Sequence, residues 1–239
     1  ASVTRGSILI NGNKILAVIP ARGGSKGIKD KNITELAGRP LLQWTIDAAI
    51  KSRYIDRFVL SSDDPQIQTV AESLGCEVPF TRAAHLATDE ASTIDVILDV
   101  LERVAGFDVV VLLQPTSPFR TAEDIDSCLE LMMRDGAPAV VSLCAVKDHP
   151  ALVFQLQNDK KITPFLSSPR GESLRRQDLP AAFTLNGAVY ASDIPWFIKN
   201  RTFTATEAVG YVMPESRSID IDDAQDLFIA QQLAQGVTV

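Results

Sequence analysis

The sequence predicts an α/β protein with a doubly wound, mainly parallel sheet, and three observations support this fold class. Short apolar runs alternate with longer segments of helical periodicity between Ile15 and Val146. The run Asp108–Leu113 is almost entirely apolar, which is typical of a central strand covered by helices on both faces. Turn-forming residues separate the runs. Because strands joined through helices run parallel with right-handed crossovers, the alternation predicts a right-handed, doubly wound sheet.

Turn residues mark the boundaries of the elements in the first half of the chain. Pro40 lies where the first turn of a helix tolerates proline, and Pro65 follows a capping turn that begins at Ser61. Gly75 ends the helix that Pro65 begins. In chain order, we predict a strand at Ile15–Ile19, a helix from Pro40, a strand at Phe58–Leu60, a helix from Pro65 to about Leu74, a strand at Cys76–Phe80, a helix at Thr93–Val104 and a strand at Asp108–Leu113.

In the second half of the chain the alternation is interrupted. Residues 147–184 are polar, contain several prolines and lack a long apolar face, so we predict an excursion from the core, in the form of a hairpin or small lobe. We expect residues 1–14 to form a short arm and residues 15–239 to form one domain. The predicted elements are a helix from Thr121 to Gly136, strands at Ala139–Val146, Leu185–Tyr190 and Val209–Met213, and helices near Pro195–Lys199 and from about Asp223 to Leu233.

The composition excludes several classes of function. The chain has 239 residues, of which 46% are hydrophobic and 22% charged, as in an ordinary globular protein. A net charge of −7 argues against a nucleic-acid-binding surface, and no apolar run approaches the ~18 residues that span a membrane. The N-terminal residues lack the apolar core of a signal peptide. Cys76, Cys128 and Cys144 have no metal-ligand spacing and fit reduced thiols, so we expect a cytoplasmic protein.

A glycine-rich, basic loop follows the first predicted strand. Gly23, Gly24 and Gly27 permit positive φ and allow backbone N–H groups to converge on one anion. The polar side chains of the loop include Arg22, Ser25, Lys26, Lys29 and Lys31. These features predict a binding site for the phosphates of a nucleoside triphosphate. A solvated turn is the alternative, because the spacing matches neither GxxxxGK[ST] nor GxGxxG.

The segment Ser218–Asp222 alternates isoleucine with aspartate. In an extended segment, Ile219 and Ile221 lie on one face and the two carboxylates on the other, with Cα atoms ~7 Å apart. Two carboxylates on one exposed face can hold Mg²⁺, which takes one or two protein carboxylates besides phosphate oxygens and water. The alternative is a polar strand end that caps the last helix.

Further polar residues lie at the sheet edge where open α/β folds bind ligands, directly after the run Asp108–Leu113. They are Gln114, Thr116, Ser117 and Arg120. Arg175 and Arg176 form a pair in the excursion that suits a carboxylate or phosphate, although such pairs on polar loops are usually solvated. A hydrolase triad or a zinc site is unsupported, because the two histidines are not accompanied by GxSxG or HExxH.

Four blocks of the sequence resemble those of the acylneuraminate cytidylyltransferases, also called CMP-sialic acid synthetases. The blocks occur in the family's order and are IPARGGSKGIKDKN (Ile19–Asn32), LLQPTSPFR (Leu112–Arg120), RRQDLP (Arg175–Pro180) followed by NGAVY (Asn186–Tyr190), and SIDID (Ser218–Asp222). The resemblance extends from about Ile15 to Gln235. It implies a Rossmann-like nucleotidyltransferase fold, a homodimer, and transfer of CMP from CTP to a nine-carbon 2-keto sugar acid with Mg²⁺ and release of pyrophosphate.

The resemblance also implies roles for individual residues. The CTP contacts would be Arg22, Gly23, Gly24, Ser25, Lys26, Lys31, Asn32 and Arg82. The sugar contacts would be Gln114, Thr116, Ser117, Tyr190, Phe203 and Arg176, the last reaching the partner's active site from a dimerisation excursion at residues 147–184. Asp220 and Asp222 would form the metal pair and, with Arg22 and Lys31, the catalytic set. Asp222 is alternatively the base that accepts the proton of the attacking hydroxyl.

Two positions depart from the family's pattern. Ala151-Leu152 stands where these enzymes tend to have a lysine after His-Pro, and Thr202-Phe203 stands where they tend to have two adjacent aromatic residues. N-acetylneuraminate, its deaminated analogue, legionaminic acid and pseudaminic acid are therefore candidate substrates. An eight-carbon sugar acid is a further alternative, although the glycine loop of that subfamily departs from GGSKGI. A catalytically silent nucleotide-binding subunit is the alternative from another class, and the joint presence of the four catalytic candidates argues against it.

Overall fold

The computed structural model describes residues 10–166, 175, 177 and 179–235, and its centre is a six-stranded sheet. The strands are β1 (Ile15–Pro20), β2 (Glu35–Leu36), β3 (Arg39–Pro40), β4 (Arg57–Ser61), β5 (Val109–Leu112), β6 (Ala139–Ala145), β7 (Phe154–Leu156), β8 (Ile162–Pro164), β9 (Phe183–Asp193) and β10 (Val209–Val212). The helices are α1 (Leu41–Lys51), α2 (Pro65–Ser73), α3 (Thr93–Arg103), α4 (Ala122–Asp135), α5 (Ile194–Asn200) and α6 (Ala224–Ala234).

The strand order in the central sheet is β10-β6-β9-β5-β1-β4. The pairs β1 with β4, β1 with β5 and β10 with β6 are parallel, whereas β9 runs antiparallel to both β5 and β6. The predicted α/β class with a mainly parallel sheet is confirmed. Because Tyr190 of β9 pairs with Leu112 at the end of β5, the residues of β9 before Tyr190 extend past the carboxyl edge of β5.

Each face of the sheet has its own apolar core. Along β1, Ile15, Ala17 and Ile19 pack in one cluster with residues of α1, α2 and α4, while Leu16 and Val18 pack in a second cluster with residues of α3 and α5. This division follows from the alternation of side chains along a strand. It explains why the run that forms β1 is apolar at every position.

A third, smaller apolar cluster lies beneath α6. Ile221, in the irregular segment before α6, is fully buried there with Leu36, Leu41 and Ala230. The backbone N–H of Ile221 also donates to the carbonyl oxygen of Thr116 at 2.8 Å. The acidic segment is therefore fixed to the loop that follows β5.

Most predicted boundaries agree with the structure within a few residues. Thr121 and Asp124 form the capping box of α4, and Gly136 ends that helix with φ of 61°. The predicted strand Cys76–Phe80 is wrong, since this segment makes only an isolated bridge, of Glu77 to Val59, and a second isolated bridge joins the next residue, Thr81, to Ser62. Pro79 lies between the two bridges and has no N–H to donate to a continuous ladder.

The described part of the predicted excursion lies outside the central sheet, except that Phe183 and Thr184 already belong to β9 and pair with β6. Strands β7 and β8 form a separate two-stranded antiparallel hairpin. The hairpin leaves apolar side chains exposed, among them Phe154, Leu156 and Ile162. Arg176 lies outside the described residues, as do residues 1–9 of the predicted arm.

No helix within the described residues is both long enough and apolar enough to cross a membrane.

Candidate active site

The glycine-rich loop after β1 is held against the loop that follows β4. The N–H of Ala21 donates to the carbonyl oxygen of Ser61 at 3.0 Å, and that of Gly23 donates to Oδ1 of Asp63 at 3.0 Å. The side-chain amide of Asn32 donates to the carbonyl oxygen of Arg22 at 3.0 Å, which closes the loop from its other end. These hydrogen bonds hold the glycine-rich loop against the loop that follows β4.

The two bases nearest the start of the loop share one carboxylate. Arg22 Nη2 lies 2.6 Å from Asp89 Oδ1, and Lys26 Nζ lies 2.5 Å from Asp89 Oδ2. Hydrogen bonds from Lys26 and Arg22 lower the pKa of Asp89. Asp89 belongs to the loop before α3, so these ion pairs bring a third loop to the same edge of the sheet.

The last base of the loop, Lys31, contacts the acidic segment. Lys31 Nζ donates to the carbonyl oxygen of Ile221 at 2.9 Å and lies 3.4 Å from Oδ1 of Asp222. The side chain of Lys31 is 15% exposed, whereas that of Asp222 is 78% exposed. A Cβ added to Gly27 would lie 2.3 Å from the carbonyl oxygen of Asp222, so only glycine allows this approach of the two backbones.

Asp220 is the more enclosed of the two aspartates. Its Oδ1 atom is buried without a hydrogen-bond partner among the described residues. Burial raises the pKa of Asp220, a hydrogen bond from Thr116 opposes that change, and the like charge of Asp222 adds to it. The prediction that both carboxylates lie on one exposed face is wrong for Asp220, because β9 and the loop after β5 close over it.

Gly187 lies where these groups converge. Its φ is +72°, and a Cβ at this position would lie 2.7 Å from Gln114 Oε1, 2.9 Å from Ser117 Oγ and 3.3 Å from Asp220 Oδ2. The antiparallel course of β9 brings Gly187 past the end of β5, beside the loop that carries Gln114. The absence of a side chain here leaves the room that Gln114 and Asp220 occupy.

Two buried arginines lie behind the site and donate hydrogen bonds to the segments that form it. Arg82 donates to Oγ of Ser61 at 3.0 Å, and burial lowers the pKa of its guanidinium to about 10. Arg120 donates to the carbonyl oxygen of Ala188 at 2.7 Å and also to that of Gln114. Burial lowers the pKa of Arg120 to about 9, and the charge of Asp220 opposes this change.

The predicted sugar contacts are only partly accessible. Gln114 and Thr116 line a cavity, and Tyr190 is half-buried with its ring 5.8 Å from that of Phe203. Ser117 is fully buried and donates to the carbonyl oxygen of Asn186 at 3.1 Å. Phe203 packs 4.6 Å from the ring of Phe197 and is 4% exposed. In this structure both are supporting residues behind the site, because neither side chain faces the cavity.

One cavity of about 370 Å³ joins most of the predicted nucleotide residues. Its lining includes Arg22, Ser25, Lys26, Lys31, Asn32, Arg82, Asp89, Gln114, Thr116 and Asp222. A second cavity of about 860 Å³ lies beyond Asp220, between the end of β6 and α6. Asp220 and Asp222 therefore stand between the two cavities.

Two residues of the site were not predicted. Gly187 interrupts the apolar run of a predicted strand, and a glycine in that position often marks a close approach of another group. Asp89 lies three residues before Ser92, the cap of α3. The available signal was its position in a loop before a helix, because such loops lie at the carboxyl edge of the sheet. The sequence does not reveal, however, which basic side chains Asp89 contacts.

The acidic pair fits a hard cation. Among the described residues, no group of three or more histidine, cysteine, aspartate or glutamate side chains could hold a metal ion. Mg²⁺ needs only one or two protein carboxylates when phosphate oxygens and water complete its shell. The unpartnered Oδ1 of Asp220 and the exposed carboxylate of Asp222 meet this requirement.

Comparison with known proteins places the chain in a family. A family model described as Cytidylyltransferase matches residues 16–204. The N-acylneuraminate cytidylyltransferase of Streptococcus agalactiae is 33% identical over 215 residues, which are 89% of this chain and 51% of that protein. The CMP-N,N'-diacetyllegionaminic acid synthase of Legionella pneumophila is 34% identical over 228 residues, which are 93% of this chain and 97% of that protein.

A solved structure supports the fold independently. The structure of CMP:2-keto-3-deoxy-manno-octonic acid synthetase complexed with CTP has a TM-score of 0.70 and 18% identity, and the match covers 94% of this chain and 100% of that chain. The chain spans about half the length of the streptococcal relative and nearly the full length of the legionella relative. The family that the sequence blocks predicted is confirmed, and this chain belongs to the cytidylyltransferase family.

Proposed function

We propose that this chain transfers CMP from CTP to the anomeric hydroxyl of a nine-carbon 2-keto sugar acid, with Mg²⁺ and release of pyrophosphate. The observation that carries the proposal is the cavity in which Arg22, Lys26 and Lys31 lie together with Gln114 and Asp222. A transfer between two bound substrates needs charge neutralisation and positioning in one place. The names of the streptococcal and legionella relatives, which refer to acids of this class, support the choice of reaction.

The basic loop suits the triphosphate of CTP. The side chains of Ser25, Lys26 and Lys31 line the cavity together with Arg22. Negative charge accumulates on the departing pyrophosphate during transfer, so fixed cations beside it lower the barrier. Asn32 and Arg82 line the same cavity and supply N–H donors for the remainder of the nucleotide.

The chemical step is an in-line substitution at phosphorus. The oxygen of the C2 hydroxyl attacks the α-phosphorus, a new O–P bond forms, and the bond from the α-phosphorus to the bridging oxygen of the β-phosphate breaks. The electron pair of the broken bond leaves with pyrophosphate, and the hydroxyl proton passes to a base. In the alternative role of Asp222, its carboxylate, which is exposed at the cavity, is this base.

Asp220 and Asp222 would hold Mg²⁺ in this scheme. The bound ion supplies charge neutralisation to the phosphates. Arg120 keeps a positive charge beneath Asp220 and, through its bond to the carbonyl oxygen of Gln114, orients the loop that contacts the sugar. We assign sugar contacts to Gln114, Thr116 and Tyr190, with Ser117 and Phe203 behind them and Arg176 contributed by the partner.

We propose a homodimer, which the resemblance and the exposed apolar surface support. Leu156 is 74% exposed and Phe165 62% exposed in and beside the hairpin β7–β8, and Phe228 of α6 is 60% exposed. Burial of such side chains against a second copy removes their apolar area from water. In this proposal the excursion at residues 147–184 is the dimerisation element. We propose a cytoplasmic site of action, where CTP is made and thiols stay reduced.

Pyrophosphate release from CTP and Mg²⁺ tests the reaction. The panel comprises N-acetylneuraminate, its deaminated analogue, di-N-acetyllegionaminate, pseudaminate and the eight-carbon acid. Release with one nine-carbon acid is the expected result and identifies the substrate. Binding of CTP without release for any acid would contradict the proposed transfer and favour a silent nucleotide-binding subunit.

The Asp222→Asn variant tests the site itself. We expect turnover to fall by at least ~10²-fold with an unchanged Tm, because the side chain is exposed and carries either the cation or the proton. Asp135→Asn, at an exposed ion pair with Arg134, is the matched control and should keep full activity. Partial rescue of Asp222→Asn by excess Mg²⁺ would assign cation binding to Asp222, and rescue by raised pH alone would assign the base. Near-normal turnover would refute both roles.

A further inference from the structure

Asp89 occupies an unusual position, because its carboxylate binds two phosphate-loop bases at once. One oxygen lies 2.6 Å from Arg22 Nη2 and the other 2.5 Å from Lys26 Nζ. Arg22 Nη1 also lies 3.4 Å from the carbonyl oxygen of Ala87, in the same loop. Two oxygens that each face one base repeat the arrangement expected of a bound phosphate group.

The surroundings of Asp89 argue against a purely structural role. Its side chain is 42% exposed and lines the cavity together with both bases. Lys26 is 78% exposed, so the pair with Asp89 lies in solvent and encloses no apolar surface. Ion pairs this exposed contribute little to the stability of a fold.

We propose that Asp89 competes with the terminal phosphates of the nucleotide for Arg22 and Lys26 and thereby promotes the release of pyrophosphate. This inference rests on the proposed function, in which these bases hold the β- and γ-phosphates of CTP. A ligand with both phosphates, or pyrophosphate itself, must displace the carboxylate or bind beside its negative charge. CMP has neither group and does not meet Asp89.

The competition has a direct consequence for the reaction. CTP brings enough charge and enough oxygens to replace one carboxylate at two bases, but its affinity is lowered by the need to do so. After transfer, the same carboxylate competes with pyrophosphate and promotes its release. Asp89 therefore weakens the binding of both ligands and opposes inhibition by the product.

The expected change in affinity follows from the exposure of the two ion pairs. Exposed pairs are weak individually, and two of them lower the affinity of a competing anion by about 3- to 30-fold. Asp89→Asn keeps the size of the side chain but removes the charge. This variant should bind CTP and pyrophosphate about 3- to 30-fold more tightly, with CMP affinity unchanged. The inhibition constant of pyrophosphate should fall by the same factor.

Titration calorimetry on the full chain tests this inference with CTP, CMP and inorganic pyrophosphate as separate ligands. Glu90→Gln, at the exposed neighbouring acid, is the control for the general field of the protein and should leave all three affinities unchanged. Asp89→Ala should repeat the tightening seen with Asp89→Asn. Weaker binding of pyrophosphate to Asp89→Asn would overturn the inference, because Asp89 would then orient the bases for the ligand.

Two other results would also overturn it. If Asp89→Asn raises the affinity for CMP as much as that for pyrophosphate, the change reflects net charge alone. The same conclusion holds if Glu90→Gln also raises the affinity for pyrophosphate. The test remains separate from the test of the proposed function. A wild-type protein that binds pyrophosphate but not CTP would refute the cytidylyl transfer, while the pyrophosphate series would still decide the role of Asp89.

Discussion

Replacement of Gly187 by alanine tests whether the reaction requires the space next to Gly187, which Gln114 and Asp220 occupy. Gly187 has φ of +72°, and the new Cβ would lie 2.7 Å from Gln114 Oε1 and 2.9 Å from Ser117 Oγ. The left-handed conformation costs an alanine roughly 1–2 kcal/mol. For a chain of this size, each kcal/mol lowers Tm by about 2–4 °C, so we expect a loss of about 2–8 °C.

Gly136 provides a matched control for the cost of placing alanine in the left-handed backbone conformation. It also has positive φ, +61°, but a Cβ there would meet nothing within 4 Å. Gly136→Ala should therefore lower Tm by a similar amount and leave turnover unchanged. The difference in activity between the two variants isolates the contact with Gln114 and Ser117 from the strain.

The expected loss of activity in Gly187→Ala is larger than its loss of stability. The far end of Gln114 can rotate away from the new methyl group, so the fold survives, but a displacement of ~1 Å in a positioning residue costs ~10²-fold in rate. Pyrophosphate release should show this loss in kcat/KM for the sugar acid, with CTP affinity changed less than ~3-fold. Activity of Gly187→Ala within ~3-fold of Gly136→Ala would refute the assignment of Gln114 to the sugar site.

Three further predictions follow from the same structure. Gly27→Ala should lower turnover by ~10²-fold and weaken CTP binding in calorimetry, because its Cβ would lie 2.3 Å from the carbonyl oxygen of Asp222; unchanged binding would contradict the contact. Asp220→Asn should raise Tm in metal-free buffer at neutral pH while turnover falls by ~10²-fold. Burial raises the pKa of Asp220, so the stability that the protonated form contributes is lost as pH rises through that pKa, and a lower Tm would contradict this reasoning. Leu156→Glu should convert a dimer into monomers in light scattering, since Leu156 is 74% exposed, and a stable dimer of this variant would exclude the hairpin as the interface.

Local signals predicted most of the fold. The capping box of Thr121 and Asp124 and the left-handed Gly136 depend on residues within one helix, so both ends of α4 were predictable from the chain itself. The apolar run of β1 also reports burial on both faces directly. Signals of this kind depend on neighbours in sequence, so they can be interpreted without knowledge of the tertiary structure.

The direction of β9 and the failure of the segment Cys76–Phe80 to form a strand depend on partners far away in sequence. An apolar run has the same appearance whether it runs parallel or antiparallel to its neighbours, so the inversion of β9 was not predictable. Its consequence is functional, because the inversion is what places Gly187 beside Gln114. The ion pairs of Asp89 are a second example, since 67 residues separate it from Arg22.

The alternation of the acidic segment predicted its shape only in part. Burial of Ile221 and exposure of Asp222 follow the expected period of two. Asp220 departs from the expectation, because Gly187 and Gln114 come from other parts of the chain and close over it. A local pattern indicates which way a side chain points, but it does not indicate what covers that side.

The distribution of charge around the cavity indicates the kind of ligand it can hold. Four cations, Arg22, Lys26, Lys31 and Arg82, face the carboxylates Asp89 and Asp222, with Asp220 adjacent, so the site has a net charge near +1 before any ligand binds. Each of the three loop bases that line the cavity already contacts a carboxylate from outside the loop. A bare triphosphate would find too little unpaired positive charge here, whereas a nucleotide that brings its own divalent cation satisfies both the bases and the acids. The pairing of the basic loop with Asp89 at one end and Asp222 at the other therefore supports a site for the magnesium complex of CTP.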